Sequence, residues 1–425
     1  MREAFLHYIW QFQYFNKREL LSEGGEKITV FNPGMPNSDA GPDFQTAKIR
    51  IGTIEWSGSV EIHSQSSEWE SHKHDNDPAY DNVILHVVWK NNKPAKRRDG
   101  TLIPTLTLTT RIDDSLLSRY KKLINNPSSI PCQNQLTKVD ELIKLNMIDK
   151  ALAFRLEQKS NVVLEVLAVN QNNWEETAYS ILARNFGFKI NAEPFNNLAR
   201  ILPLKILLKH VGNQLQIEAL LFGQAGFLED VGKTKYEEAL VREYRALSKK
   251  YRLDSMSKSQ WKFLRLRPAN FPTLRIAQFA ALINTRRSIF SQIVESMDLK
   301  SIQNIFLTPT SDFWKNNYQF GKSKKVEVKP MGVKSLESIM INTVVPIWVA
   351  YGRRKDDQEY MNQSIHALQE IKAEQNSIIK KWTALGFKLK SAHESQALIG
   401  QYNDFCKKKK CLKCAVGHAI LQSKH

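Results

Sequence analysis

Apolar positions change period along the first third of the chain. Phe5, Leu6, Ile9, Phe12 and Leu20 fall at mostly helical spacing and predict an amphipathic helix within residues 3–21. Lys27–Phe31 reads as a short strand stopped by Asn32-Pro33-Gly34, and Asn37–Phe44 as a turn-rich loop. Two strands are expected next, Ala47–Trp56 with a break at Gly52, and Ser59–His63. A polar stretch, Ser66–Tyr80, is anchored by Trp69 and leads to strands at Asn82–Trp89 and Leu102–Thr109. From Asp113 the period becomes helical: Leu116–Ile124, Lys138–Asn170, Trp174–Phe186, Leu198–Lys209, Gln214–Phe222, Tyr236–Tyr251, 271–299, Leu336–Tyr351, Gln358–Trp382 and His393–Phe405. The pattern predicts an α/β domain over residues 1–115, a helical body over 116–390 with room for two subdomains, and a closing helix with cysteines over 391–425.

Composition narrows the classes. A chain of 425 residues with 42% hydrophobic and 10% aromatic side chains exceeds one core and has ample material for several, which excludes global disorder. Lysine and arginine outnumber aspartate and glutamate, 61 to 43, for a net charge of +18. That excess suits either a polyanionic partner or solubility. No signal-peptide pattern opens the chain, and no apolar run reaches bilayer length. The most apolar window, Ile339–Val349, carries Asn342, Thr343 and Pro346 and reads as a buried segment, so a cytoplasmic protein with no membrane partner is expected. Lys322, Lys324 and Lys325, the pair Lys380 and Lys381, and Lys407–Lys410 with Lys413 supply positive surface for phosphate contact or simple solvation. Arg265, Arg267 and Arg275, beside Trp261 and Phe271, form a basic and aromatic segment that suits nucleic-acid stacking or the pinning of helices.

The chemistry concentrates at the front. Asp43 precedes a strand, and Glu61 and His63 stand two apart on a later one, so the last two share a face. An aspartate at one strand mouth and a glutamate on its neighbour can converge on Mg²⁺ or Mn²⁺, hard ions that serve phosphodiester hydrolysis. His72 and His74 follow with Asp75 and Asp77; on a strand they share a face, on a helix they diverge. His86 lies among apolar neighbours and suits a hydrogen-bonded core residue. These histidines and carboxylates could also compose a zinc hydrolase centre, although no HExxH signature is present.

Pro42-Asp43 followed by Glu61-Ile62-His63 resembles the PD-(D/E)xK nuclease superfamily. The resemblance implies a restriction-endonuclease-like αβββαβ core followed here by a mainly α-helical region. It further implies Asp43 and Glu61 as metal ligands, His63 in the place of the usual lysine, and Glu19 or Glu3 as the acid of the first helix. A nuclease acting on nucleic acid, DNA more than RNA, is the activity that goes with it. The alternative is a non-catalytic nucleic-acid-binding or assembly protein that retains a degenerate nuclease-like domain. A histidine at 63 departs from the pattern, since imidazole does not carry lysine's fixed charge. The whole chain also resembles the DUF2851 family of bacterial proteins. Gly41-Pro42-Asp43-Phe44, Gly58–His63, the Trp69/His72/His74 segment, Leu221–Gly226, Arg267–Pro272 and the terminal cysteines carry that likeness, which brings no activity with it.

Three of the four cysteines, Cys406, Cys411 and Cys414, lie within nine residues of one another. Cys411 and Cys414 have C-x₂-C spacing, Cys406 suits a third ligand, and His418 or Cys132 a fourth. Flanking lysines are expected to lower the thiol pKa values. Zinc or an iron–sulfur cluster is the cofactor expected there. Some PD-(D/E)xK nucleases close such a cluster with widely separated cysteines, an arrangement similar in kind but different in spacing. Leu221–Gly226 lacks the spacing of a phosphate-binding loop and reads as a tight helix junction.

Overall fold

A computed structural model describes residues 1–229, 231–296, 298–323 and 327–423. The chain divides into two compact units, residues 1–147 with 401–425, and residues 148–400. Lys324 and Lys325 of the expected basic cluster lie outside the described residues.

The first unit is built on a mixed sheet. Helix α1 (Glu3–Gln11) opens it, followed by strands β1 (Ile28–Asn32), β2 (Met35–Pro36), β3 (Phe44–Ile51) and β4 (Ile54–Gln65). A four-residue helix α2 (Glu68–Ser71) and a 3₁₀ turn at Pro78–Tyr80 cross to β5 (Val83–Lys90), and β6 (Thr105–Thr107) and α3 (Asp114–Ile124) follow. The sheet runs β1-β3-β4-β5-β6, with β2 paired to β3. The β1, β3 and β4 pairings are antiparallel, whereas β4–β5 and β5–β6 are parallel. Six consecutive residues of β5, Val83–Val88, are buried, as befits a strand covered on both faces.

Several boundaries differ from the sequence expectation for identifiable reasons. Helix α1 stops at Gln11 because Gln13 takes a left-handed conformation, φ 55°, so the apolar residues beyond it anchor a loop. Gly52, φ 61°, is the corner of the β3–β4 hairpin, across which Ile51 pairs with Ile54. Strand β4 then runs unbroken through Ser57-Gly58 to Gln65. Gly58 is required by close approach: a Cβ there would meet the Asn82 carbonyl oxygen and Ile84 Cγ2, each at 2.5 Å. Gly58→Ala is therefore expected to cost about 1–3 kcal/mol in urea unfolding, through strain at the β4–β5 junction.

The second unit is mainly helical, with one short hairpin, Asn317–Gln319 with Lys322–Ser323. The expected helix at Leu198–Lys209 is interrupted at Leu202-Pro203, and that at Gln358–Trp382 between Glu370 and Ser377. The helical run Val333–Lys355 is, by length and composition alone, apolar enough to cross a membrane, which the sequence reading did not anticipate. Its apolar window is 67% buried inside the protein, as a core helix would be. The junction expected at Gly223–Gly226 is the end of a helix, Gln214–Gln224, and the next helix starts at Lys235. Gly223 faces the Tyr244 ring so closely that a Cβ would lie 2.1 Å from it, and Gly226 turns the chain at φ 73°. Arg275 is buried, bonded to Gln278, Asn270 and Ser335 and set over the Phe188 ring, so it pins helices and is withdrawn from any nucleic-acid contact.

Candidate metal centre

The site grows from the meeting of β3 and β4. A register shift between Phe44 and Ala47, with Thr46 at φ 57°, inserts an extra residue in β3 and re-aims its start. Asp43 thereby lies beside Glu61, and the two lock each other through backbone bonds. The Asp43 amide donates to Glu61 Oε2 at 3.0 Å, and the Ile62 amide donates to Asp43 Oδ2 at 3.0 Å. Glu61 Oε1 remains directed at histidines, 3.4 Å from His74 Nε2 and 3.6 Å from His63 Nε2. Burial raises the Glu61 carboxyl above its ordinary pKa; the His74 contact opposes this and the nearby Asp43 charge adds to it.

The polar crossover between β4 and β5 delivers the other histidines. Glu68 accepts from the Ser64 and Gln65 amides and fixes α2 against the end of β4. After α2 the chain is neither strand nor continuing helix, because Lys73 sits in the left-handed region at φ 64°. That reversal turns His72 and His74 toward the same centre. Their ring centroids lie 5.0 and 5.3 Å from that of His63 and 5.5 Å from each other. His74 is also stacked on Tyr80 at 3.8 Å, and Tyr80 is placed by the 3₁₀ turn that Asp77 caps. Trp69, buried and bonded to the Lys96 carbonyl, packs edge-on against His74.

His86, the expected hydrogen-bonded core histidine, has His63 as its partner: Nε2 lies 2.9 Å from His63 Nδ1. Burial pushes both imidazoles down to about 3, helped by the neighbouring histidines, so both are neutral at ordinary pH, with one nitrogen lone pair taken up by the bond between them. His86 Nδ1 is buried without a hydrogen-bond partner.

A second group comes from α1. His7 Nε2 lies 3.2 Å from Asp43 Oδ2 and 3.4 Å from Glu3 Oε1, its neighbour one helical turn back. Burial alone would lower His7, but the Asp43 and Glu3 carboxylates outweigh it and raise the imidazole to about 9. Two sets thus have ligand atoms that all lie within 4.8 Å of one another, His63/His72/His74 and Glu3/His7/Asp43. Both are geometrically able to hold a metal ion. Sequence reasoning missed His7, whose only signal was its i, i+4 relation to Glu3. Glu19 lies apart from both sets, exposed in a turn at φ 46°, with its carbonyl accepting from Arg111.

The four cysteines are free and buried. Cys132 is close enough to Cys411 and Cys414 for their charges to bear on its thiol, and Cys406 responds likewise to all three. Gln401 places its amide nitrogen 3.8 Å from Cys406 Sγ and 3.3 Å from Cys414 Sγ. Unlike the two front sets, no three of these sulfurs lie within 4.8 Å of one another. Lysines do not lower the thiols as expected. Burial dominates and pushes Cys132 and Cys411 up to about 12, with Cys406 and Cys414 also raised. His418 is committed elsewhere: Tyr8 OH meets its Nδ1 at 3.0 Å and Tyr14 OH its Nε2 at 3.3 Å, with Phe12 packed edge-on against the ring.

Residues 3–377 match the family described as Protein of unknown function (DUF2851). No curated protein and no solved structure matches the chain.

Proposed function

We propose that this chain, which belongs to the DUF2851 family, is a divalent-metal-dependent phosphodiesterase acting on nucleic acid, DNA in preference to RNA. The observation that carries the reading is the mutual lock of Asp43, at the mouth of β3, and Glu61 on β4, with His63 and His74 against Glu61 and His72 grouped with those two imidazoles. Support also comes from the mixed sheet, whose antiparallel half delivers Asp43 and whose central strand delivers Glu61. A net charge of +18 favours a polyanionic substrate.

A divalent ion held at such carboxylates and imidazoles polarises a phosphate oxygen and makes bound water acidic. The protein's own residues supply the remainder. Asp43 and Glu61 hold fixed negative charge, oriented by each other's backbone. His63 is kept neutral, so at this position it contributes a lone pair where lysine would contribute a charge. The test is incubation of the purified chain with linear, nicked and single-stranded DNA and with RNA, under Mg²⁺, Mn²⁺ or Zn²⁺. Metal-dependent cleavage that EDTA stops is the expected result; no cleavage of any substrate under any of the ions overturns the reading.

A second metal reading, zinc or an iron–sulfur cluster at Cys132, Cys406, Cys411 and Cys414, has behind it their shared burial and mutual electrostatic influence, and it requires the sulfurs to draw closer than they stand. Metal analysis of anaerobically purified protein is expected to find iron with sulfide, or zinc, lost on Cys411→Ser substitution. Four thiols that titrate in the unfolded chain with no metal released would remove it.

A further inference from the structure

The two front sets differ in chemistry, and the difference is informative. One offers three imidazoles, with Glu61 Oε1 near two of them, His63 and His74; the other offers two carboxylates and one imidazole. Imidazole-rich sets suit zinc-class transition ions, whereas carboxylate-rich sets suit harder ions such as Mn²⁺ or Mg²⁺. The spacing agrees with this division. Tetrahedral coordination with bonds of 2.0–2.1 Å places neighbouring ligand atoms about 3.3 Å apart. Glu61 Oε1 stands 3.4 Å from His74 Nε2 and 3.6 Å from His63 Nε2, close to the edges of such a tetrahedron.

We infer that the front site is an asymmetric two-ion centre, in which His63, His72 and His74 select a zinc-class ion, with Glu61 Oε1 beside His63 and His74, and Glu3, His7 and Asp43 hold a second divalent ion. The bridge between the positions is the Asp43–Glu61 pair. Glu61 directs Oε1 to the histidine set and receives the Asp43 amide on Oε2, while Asp43 Oδ2 faces His7. His86 completes the arrangement from behind. By engaging His63 Nδ1 it leaves His63 Nε2 toward Glu61 Oε1, which is the role of an outer partner that sets the tautomer of a metal-binding histidine. Glu3 and His72 are the exposed members of their sets, so both positions open toward solvent. A phosphate is the substrate group that such a pair, if both ions were held, would suit by charge.

The inference rests on the front site being a metal site, and not on hydrolysis. The full chain carrying Cys411→Ser, which takes the cysteine set out of the count, is stripped with chelator, titrated with Co²⁺ and read by visible absorption and bound-metal analysis, so turnover plays no part. Two equivalents are expected, the tighter one giving the intense visible band of a tetrahedral site without the near-ultraviolet band of thiolate ligation. His72→Ala/His74→Ala is expected to abolish that band. Glu3→Gln/His7→Gln is expected to keep it and lose the weaker equivalent. Circular dichroism reports whether each variant folds, and the stoichiometry of the Cys411→Ser chain with its front site intact decides independently of the front-site variants. A single equivalent, a thiolate band accompanying the first equivalent, or a visible band that survives loss of His72 and His74 overturns the inference. A chain that binds two ions as described and cleaves nothing retains it while removing the phosphodiesterase reading.

Discussion

Asp43→Asn and Glu61→Gln are each expected to lower metal-dependent phosphodiester cleavage by about 10²–10³-fold while leaving the chain folded. Both substitutions preserve the local lock, because an amide oxygen can still accept the Ile62 or Asp43 backbone N–H that the carboxylate accepts now. What each removes is the charge that fixes a cation. The two variants should separate in stability. Glu61 is 5% exposed, and burial already holds its carboxyl above the usual pKa, so a neutral amide is the easier group to bury. Glu61→Gln is therefore expected to match or exceed the wild type in urea midpoint while losing activity, the signature of a group retained for chemistry. Asp43→Asn also loses the carboxylate that faces His7 and should be somewhat less stable. Cleavage that survives both substitutions unchanged would sink the proposed function.

Parts of this site were legible in the sequence because they depend on local periodicity. Glu61 and His63 share a strand face by alternation, and Asp43 stands at a strand mouth, so their convergence needs only that the two strands pair. The remaining residues depend on tertiary events. Glu3 and His7 form an ordinary i, i+4 pair until α1 packs against β4 and presents His7 to Asp43. His72 and His74 meet His63 because one residue between them, Lys73, adopts a left-handed conformation that its side chain does not specify. The thiols show the same limit from the electrostatic side. Neighbouring lysines in sequence suggested lowered pKa values, but burial of the sulfurs decides the sign, and burial comes from the packing of residues some 280 positions apart, as when Lys409 Nζ reaches the Ile124 carbonyl. In the helical region, the apolar period located most helices and overran their ends wherever a proline or polar turn cut a continuous pattern, as at Leu202-Pro203.

Stability of the chelated protein is expected to fall on both sides of neutrality, for different residues. His63 and His86 are held near 3 in the folded state, by burial first and by neighbouring histidines second, against about 6.5 when unfolded. Between those values the unfolded chain binds protons that the folded chain refuses, so stability present above about pH 6.5 is lost as pH falls. At pH 5 each such proton corresponds to about 2 kcal/mol, and the hydrogen bond between the two rings makes their titration in the fold a joint one. Glu61 softens this acid limb, since its raised carboxyl takes a proton earlier in the folded state than in the unfolded one. His7 acts in the opposite direction. Its folded value of about 9 exceeds the unfolded one, so its contribution is complete below about pH 6.5 and disappears as pH rises through about 9. With its side chain 32% exposed, solvent screening limits that contribution to about 1 kcal/mol. Urea midpoints from pH 4.5 to 9.5 in the presence of EDTA are therefore expected to peak near neutrality. His86→Phe should make the acid limb shallower, leaving the part due to His63, and His7→Gln should lessen the alkaline limb, to which the raised thiols also contribute. An acid limb that His86→Phe leaves unchanged would show that the buried His63–His86 pair is not what holds the site neutral and ready for an ion.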